Sequence, residues 1–330
     1  MNAKELTRVL TVLVKNMRPV LLKGAPGVGK TSIVKQVAKN LGFDLIISHP
    51  VVSDPTDYKG LPGIVKGAAE FLPFGELRQL IEAEKPTLYF LDDLGQAPAV
   101  VQAACMQLLL ERRVNGHHVS DNVVFAAATN RREDRAGVTG ILEPVKSRFQ
   151  TILSLEADAD SWIDWAFENK MPASLIGFVH FRPSLISTAE ATADIVNHPC
   201  PRTFEFAGND INDFDNDVPL EVLSGTLGEG CAAELMGFLK VYESLPDIAA
   251  ILLKPDEAMV PEEPAALYAV VSALVEKASK DNVARIFKYS NRLPIDFSTL
   301  LVRDMVRKEP NVQHSKSFIE WASKHKEALT

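Results

Sequence analysis

The feature that most narrows what this chain can fold into is the stretch Gly24-Ala25-Pro26-Gly27-Val28-Gly29-Lys30-Thr31. It fits G-x-x-x-x-G-K-[ST], a loop whose glycines let successive backbone N–H groups turn inward around phosphate oxygens. Its flanks supply the context that the motif requires. Pro19-Val20-Leu21-Leu22-Lys23 reads as a short apolar strand, and Ile33, Val34, Val37, Ala38 and Leu41 recur at helical spacing up to a stop at Gly42. A helix that starts at the loop aims its positive dipole end at the same anion. In such a loop Lys30 reaches the β- and γ-phosphates and the Thr31 hydroxyl ligates Mg²⁺. Gly24, Ala25, Pro26, Gly27, Val28, Gly29, Lys30 and Thr31, continued by Ser32, are therefore the candidate nucleotide-binding residues, with ATP and Mg²⁺ as the expected ligands.

With 330 residues, 46% of them hydrophobic, the chain is long enough for two domains or slightly more, each with a sizeable core. No run approaches the roughly 18 apolar residues of a membrane span. Met1-Asn2-Ala3-Lys4-Glu5 lacks the apolar stretch of a secretion signal, so the expected setting is the cytoplasm. Cys105, Cys200 and Cys231 are odd in number and far apart, which suits a reducing compartment better than a disulfide framework. A net charge of −8 disfavours broad contact with nucleic-acid phosphates, although a local basic pore is compatible with an acidic shell.

The second anchor is Pro86-Thr87-Leu88-Tyr89-Phe90-Leu91-Asp92-Asp93. A continuous apolar run ending in acid is how a buried parallel strand delivers carboxylates to the edge of an α/β sheet where ligands collect. Asp92 fits the Mg²⁺-holding role, and Asp93 that of orienting and polarising an attacking water. Val123 to Asn130 is another buried strand, and it brings Asn130 to the same edge. Between the anchors lie an expected helix over 4–16, a strand at Leu45-Ile46-Ile47-Ser48, a helix start at Asp54-Pro55-Thr56-Asp57, and a possible hairpin through Ile64 to Gly67 and Glu70 to Pro73. A helix from Val100 to Leu110 leads to a second hairpin at Asn115-Gly116. The adjacent His117 and His118 would point to opposite faces of a strand, which argues against a metal site there.

With the phosphate loop, the acid-ended strand, the Asn-ended strand and Ser147-Arg148-Phe149 in this order, residues 1–155 resemble the nucleotide-binding core of AAA+ ATPases. Within that class the Leu91-Asp92-Asp93-Leu94-Gly95-Gln96-Ala97-Pro98 segment, the Gln-containing helix after it, the Glu111-Arg112 turn and the hairpin before the helix at 76–84 look most like the MoxR or helix-2-insert group. The resemblance implies that Asn130 positions the hydrolytic water and that Arg148 is an arginine finger inserted into a neighbouring subunit's site. Such fingers contribute about 10³ to 10⁵ in rate. A finger acting in trans implies a ring, usually of six subunits; Arg112 and Arg113 could also face a neighbour. There is one departure: these ATPases usually carry Asp-Glu where this chain has Asp92-Asp93. The missing methylene withdraws the carboxylate by about 1.5 Å, and a misplacement of about 1 Å can cost about 10²-fold, so slow hydrolysis is expected.

After Leu155 the pattern turns helical, with an Asp160-Ser161 cap before Trp162, Ile163 and Trp165. Pro201 suits the first turn of a new helix, and Pro201-Arg202-Thr203-Phe204-Glu205 resembles the sensor 2 segment of MoxR-like lids, which assigns Arg202 to the γ-phosphate. The alternating acids of Asp213 to Asp217 would need Gly and Glu where Val218 and Ser224 stand to bind calcium, so a solvated acidic linker is expected. Further helices are expected at 231–242, 265–277, 281–289, 297–307 and 317–329, with residues 254–264 as the interior linker.

The expected fold is thus an α/β P-loop NTPase core of AAA+ type with a parallel sheet in the order 5-1-4-3-2, then an all-α lid and a C-terminal helical region. The expected domains are 1–155, 156–218 and 219–330. By resemblance, the activity is Mg-ATP hydrolysis in a ring that remodels or assembles a protein client, with a partner bearing a von Willebrand factor A domain. Two alternatives stand beside it. A nucleic-acid-directed motor would use Lys59, Lys66, Arg112, Arg113 and the two histidines on its hairpins; a nucleotide-gated scaffold with little hydrolysis would explain Asp93.

Overall fold

The computed structural model describes residues 1–131, 140–188 and 194–325. The chain divides into two compact units, Met1–Ala157 and Asp158–Thr330.

The first unit is built on a five-stranded parallel sheet. Its strands are β1 (Val20–Lys23), β2 (Asp44–Ser48), β5 (Thr87–Leu91), β8 (Val123–Thr129) and β9 (Thr151–Ser154), in the spatial order β2-β5-β8-β1-β9. Counting only these strands, that is the expected 5-1-4-3-2 order. The central strands β5 and β8 are buried along their whole length, because helices cover both faces of a parallel sheet and leave no strand position for water. Successive side chains separate cleanly onto the two faces. Leu88, Phe90, Val124, Ala126 and Ala128 pack with Leu6, Leu10 and Val14 of α1 (Ala3–Lys15) and with Val34 and Val37 of α2 (Lys30–Leu41). Tyr89, Leu91, Val123, Phe125 and Ala127 pack with Leu77 and Leu80 of α4 (Gly75–Ile81) and with Val101, Ala104 and Leu108 of α5 (Ala99–Glu111).

Both expected hairpins form. β3 (Leu61–Val65) pairs antiparallel with β4 (Ala68–Leu72) across Lys66-Gly67, and β6 (Arg113–Val114) with β7 (His117–His118) across Asn115-Gly116. All four turn residues have positive φ, the signature of a two-residue turn whose twist matches the strands. The first hairpin follows α3 (Pro55–Lys59), which begins with a reciprocal capping box between Asp54 and Asp57. The second hairpin is tied to α3 by Asn115 Nδ2 donating to Lys59 O at 2.8 Å and to the first hairpin by a His117 Nε2 bond to Phe71 O at 2.8 Å. Arg112 turns inward: it donates to Ser120 O and Val123 O and lies over the Phe125 ring. Two carbonyls of its own unit thus hold one end of the guanidinium. Arg113 is exposed.

The second unit is helical. α7 (Ala159–Glu168) is capped by Asp158, whose carboxylate accepts from Ser161 N at 2.9 Å. The cap thus stands two residues before the expected Asp160, because Asp158 is the last residue with extended backbone. An aromatic chain runs through the unit from Phe204 of α9 (Pro201–Asp213) to Phe178 and Phe181 of α8 (Ala173–Phe181), Phe238 of α11 (Glu229–Glu243), Tyr268 of α13 (Pro264–Lys277) and Phe297 of α15 (Ile295–Lys308). Residues 254–263 join α12 (Ile248–Leu253) to α13 inside this unit and are pinned there by Arg292 Nη1 to Pro255 O and Tyr289 Oη to Met259 O. α10 (Leu220–Leu227), α14 (Val283–Ser290) and α16 (Lys316–Lys324) also belong to the unit; residues 326–330, within the helix expected to reach Leu329, lie outside the described residues. Among the described residues no helix is long and apolar enough to cross a membrane.

Candidate functional site

The site forms where β1, β5 and β8 end side by side. β1 leads into the loop, and α2 begins at Lys30 after Gly29, whose φ of 99° is a left-handed conformation that a side chain would strain. At Gly24 a Cβ would come within 2.6 Å of Leu155 O, so only glycine lets the loop pass β9's end. These two positions explain the motif's spacing in this chain: one glycine permits close approach, the other the turn into the helix.

Lys30 is nine-tenths buried, and its ammonium donates to Gly24 O at 2.9 Å, Ala25 O at 3.0 Å and Asn130 Oδ1 at 2.7 Å. A buried ammonium is tolerated only where oxygens replace its hydration. The neutral oxygens named here can be exchanged for phosphate oxygens without breaking the fold. The Thr31 hydroxyl donates to Asp92 Oδ2 at 2.7 Å, and Asp92 Oδ1 accepts from Asp93 N at 3.1 Å. Asp92 is held from behind by its own N–H, which donates to Ser48 O at the end of β2. Ser48 in turn shares a hydrogen bond with Tyr58, whose phenol burial pushes up to about 12, so it stays neutral at the floor of the site.

Four of the expected residues, Lys30, Thr31, Asp92 and Asn130, are thus in direct contact in two pairs. Asp93 follows Asp92 but takes a left-handed backbone, φ 57° and ψ 33°, and its Oδ1 accepts from Gln96 Nε2 at 2.8 Å. Ser32 is exposed on the first turn of α2. Arg148 lies in the turn after α6 (Glu143–Lys146), outside the Lys30–Asn130 and Thr31–Asp92 contacts. Its Nη1 donates to Pro144 O at 2.6 Å and Ser147 Oγ at 2.9 Å, and its Nε is buried without a partner among the described residues. Arg202 is exposed at the second position of α9 in the other unit, directly after Pro201.

Two residues that sequence reasoning did not single out shape this site. Gln96 holds Asp93. Gln102, 1% exposed on α5, donates to Ala97 O and Gly140 O and accepts from Leu142 N. It thereby fastens the segment after Asp93 to the one that leads into α6. Neither carries a sequence signal stronger than a polar residue near a turn or in a helix.

An oxygen-only set made of a hydroxyl and a carboxylate suits a hard cation such as Mg²⁺, which keeps most of its ligands from water and phosphate. Among the described residues no cluster of three or more His, Cys, Asp or Glu could hold a metal by protein groups alone. The fit is to a cation that arrives with a nucleotide.

Residues 20–157 match the AAA family, the ATPase family associated with various cellular activities. Among solved structures, the chain is similar to the Thermotoga maritima RuvB Holliday junction branch migration motor, at 16% identity over 82% of this chain and 80% of that one, with a TM-score of 0.41. It is also similar to NtrX from Brucella abortus, at 11% identity over 98% of this chain and 67% of that one, with a TM-score of 0.42. The phosphate loop, the β2-β5-β8-β1-β9 order and the match to the AAA family coincide on one stretch of sequence, residues 20–157.

Proposed function

We propose that this protein is an Mg-ATP-dependent ATPase of the MoxR-like AAA+ type. It assembles into a ring of six subunits and uses hydrolysis to remodel or assemble a protein client with a von Willebrand factor A domain partner. The observation that carries the reading is the pair of short contacts at one sheet edge, Lys30 to Asn130 and Thr31 to Asp92. The same four groups serve two ends of one substrate. Lys30 and the loop N–H groups bind the β- and γ-phosphates, while Thr31 and Asp92 hold Mg²⁺, which when bound neutralises charge on the phosphate oxygens. Asn130 holds the attacking water beside the terminal phosphate, and Asp93 takes the proton that the water gives up as it bonds to phosphorus and the bond to the bridging oxygen breaks. Arg148 of one subunit completes the site of the next. Residues 156–218 act as a lid that brings Arg202 to the γ-phosphate, and residues 219–330 follow as the C-terminal helical region.

A second reading, a nucleotide-gated scaffold that hydrolyses little, is favoured by one observation: Asp93 is both short and tied to Gln96. Nucleotide-gated client binding, common to both readings, is tested in a pull-down with Asp93→Asn, which binds ATP and stalls with its client, against Lys30→Ala, which does neither. Recovery of the same proteins by both variants contradicts nucleotide-gated client binding. Steady-state turnover by the wild type that rises in Asp93→Glu supports the hydrolase, and ATP-dependent assembly with negligible turnover supports the scaffold.

A further inference from the structure

We propose that Gln96 is a positioning residue for hydrolysis: it holds the Asp93 carboxylate where it can accept a proton, and so makes up for the missing methylene. The inference rests on the hydrolase reading above.

Asp93 has a half-buried, short carboxylate on a left-handed backbone. Left alone, such a side chain would swing among rotamers. Gln96 closes a ring on it at two points, since its backbone N donates to Asp93 O at 2.9 Å and its Nε2 donates to Asp93 Oδ1 at 2.8 Å. The backbone between them cannot drift, because Leu94 and Ala97 are fully buried in the apolar cluster beneath. Gln102 Nε2 holds Ala97 O as well. The clamp therefore stands on a rigid shelf. It occupies only one carboxylate oxygen: among the described residues no hydrogen bond reaches Oδ2, which stays available to a water proton.

The orientation of the Gln96 amide adds a second observation. Its carbonyl cannot face a carboxylate, so Nε2 points at Asp93 and Oε1 is left buried with no partner among the described residues. An ordinary cap at a turn keeps its amide in water and has no such orphan. Burying an unpaired acceptor is costly, and here that cost accompanies a fixed donor to the proton acceptor of the site. Gln96 itself touches neither nucleotide nor metal in this scheme; it acts through Asp93.

The test is steady-state kinetics and ATP affinity for wild type, Gln96→Leu, Asp93→Glu, the double variant and Lys30→Ala. Leucine fills the same space, removes the donor and also removes the orphaned carbonyl, so folding is preserved. Gln96→Leu is expected to lower kcat by about 10- to 10²-fold, as a displacement of order 1 Å does, with KM and ATP Kd unchanged within about twofold. Asp93→Glu in the Gln96→Leu background is expected to restore most of kcat, because the longer carboxylate reaches the water without the clamp. Unchanged kcat in Gln96→Leu overturns the inference, as does a fall in kcat that the glutamate does not rescue or that comes with weaker ATP binding. Wild-type turnover that does not depend on Lys30 overturns the hydrolase reading itself, and this inference with it.

Discussion

Each unit buries a polar cluster, and these two are wired differently. At the sheet edge, Lys30 is bonded to the neutral oxygens of Gly24, Ala25 and Asn130. In the helical unit, His180 and Asp304 meet at 2.6 Å, and Arg307 bonds Asp304, Asp160 and Asp164. In the second cluster Arg307 is answered by carboxylates of the same unit and His180 bonds one of them, so the cluster closes on itself and ties α7, α8 and α15 together. In the first, the lysine's carbonyl and amide partners can be replaced by a phosphate. Burial of a charge therefore does not by itself mark a site; whether a ligand can replace partners such as these does.

The sharpest way to break this contrast is Arg148→Ala. If the guanidinium completes a neighbour's site, turnover falls by about 10³-fold or more while ATP affinity and the thermal stability of both units persist. Mixing Arg148→Ala with Lys30→Ala subunits then restores part of the activity, since each supplies what the other lacks. Failure of mixed rings to recover any turnover counts against a finger acting in trans.

The opposite pattern is expected at the helical cluster. Asp304→Ala removes a carboxylate that is 1% exposed, strands His180 and takes one of three carboxylates from Arg307, which costs about 3–5 kcal/mol of stability. Denaturant unfolding measures it, and ATP affinity should not change. A variant that kept its stability and lost nucleotide binding would reverse the roles assigned to the two clusters.

A smaller effect is expected from acid. Burial works to raise the Asp160 carboxyl, but the Arg307 hydrogen bond and the charges of Arg303 and Arg307 outweigh it and hold it below its ordinary value of 3.8. A depressed carboxylate contributes stability that is complete above its unfolded value and is lost as pH falls through the folded one. Between about pH 4 and more acidic solution the helical unit should lose at most about 1 kcal/mol, because Asp160 is more than half exposed. Asp160→Asn should flatten that acid limb in denaturation curves taken at several pH values.

The two units also differed in how much could be read from residues alone. The strands, the loop and both hairpins were legible because each rests on local constraints: apolar runs bounded by turns, Gly29 before a helix, and Asn115-Gly116 between short strands; the order of the sheet came from the AAA+ resemblance. In the helical unit the helices were legible, but the partners were not. Nothing in periodicity links His180 to Asp304, which are 124 positions apart, or shows that residues 254–263 are pinned by Arg292 and Tyr289. The inward turn of Arg112 and the clamp from Gln96 escaped for the same reason. Each depends on where a long side chain finds an acceptor, and sequence spacing does not encode that.

The central claim is that Lys30 stands in a nucleotide site. Titration of Mg-ATP into wild type and Lys30→Ala, with folding of both checked by thermal unfolding, tests it most directly. Saturable binding by wild type that weakens by about 10-fold or more in Lys30→Ala, a change of about 1.4 kcal/mol or more, is the expected result. Equal affinity in the two proteins would contradict it.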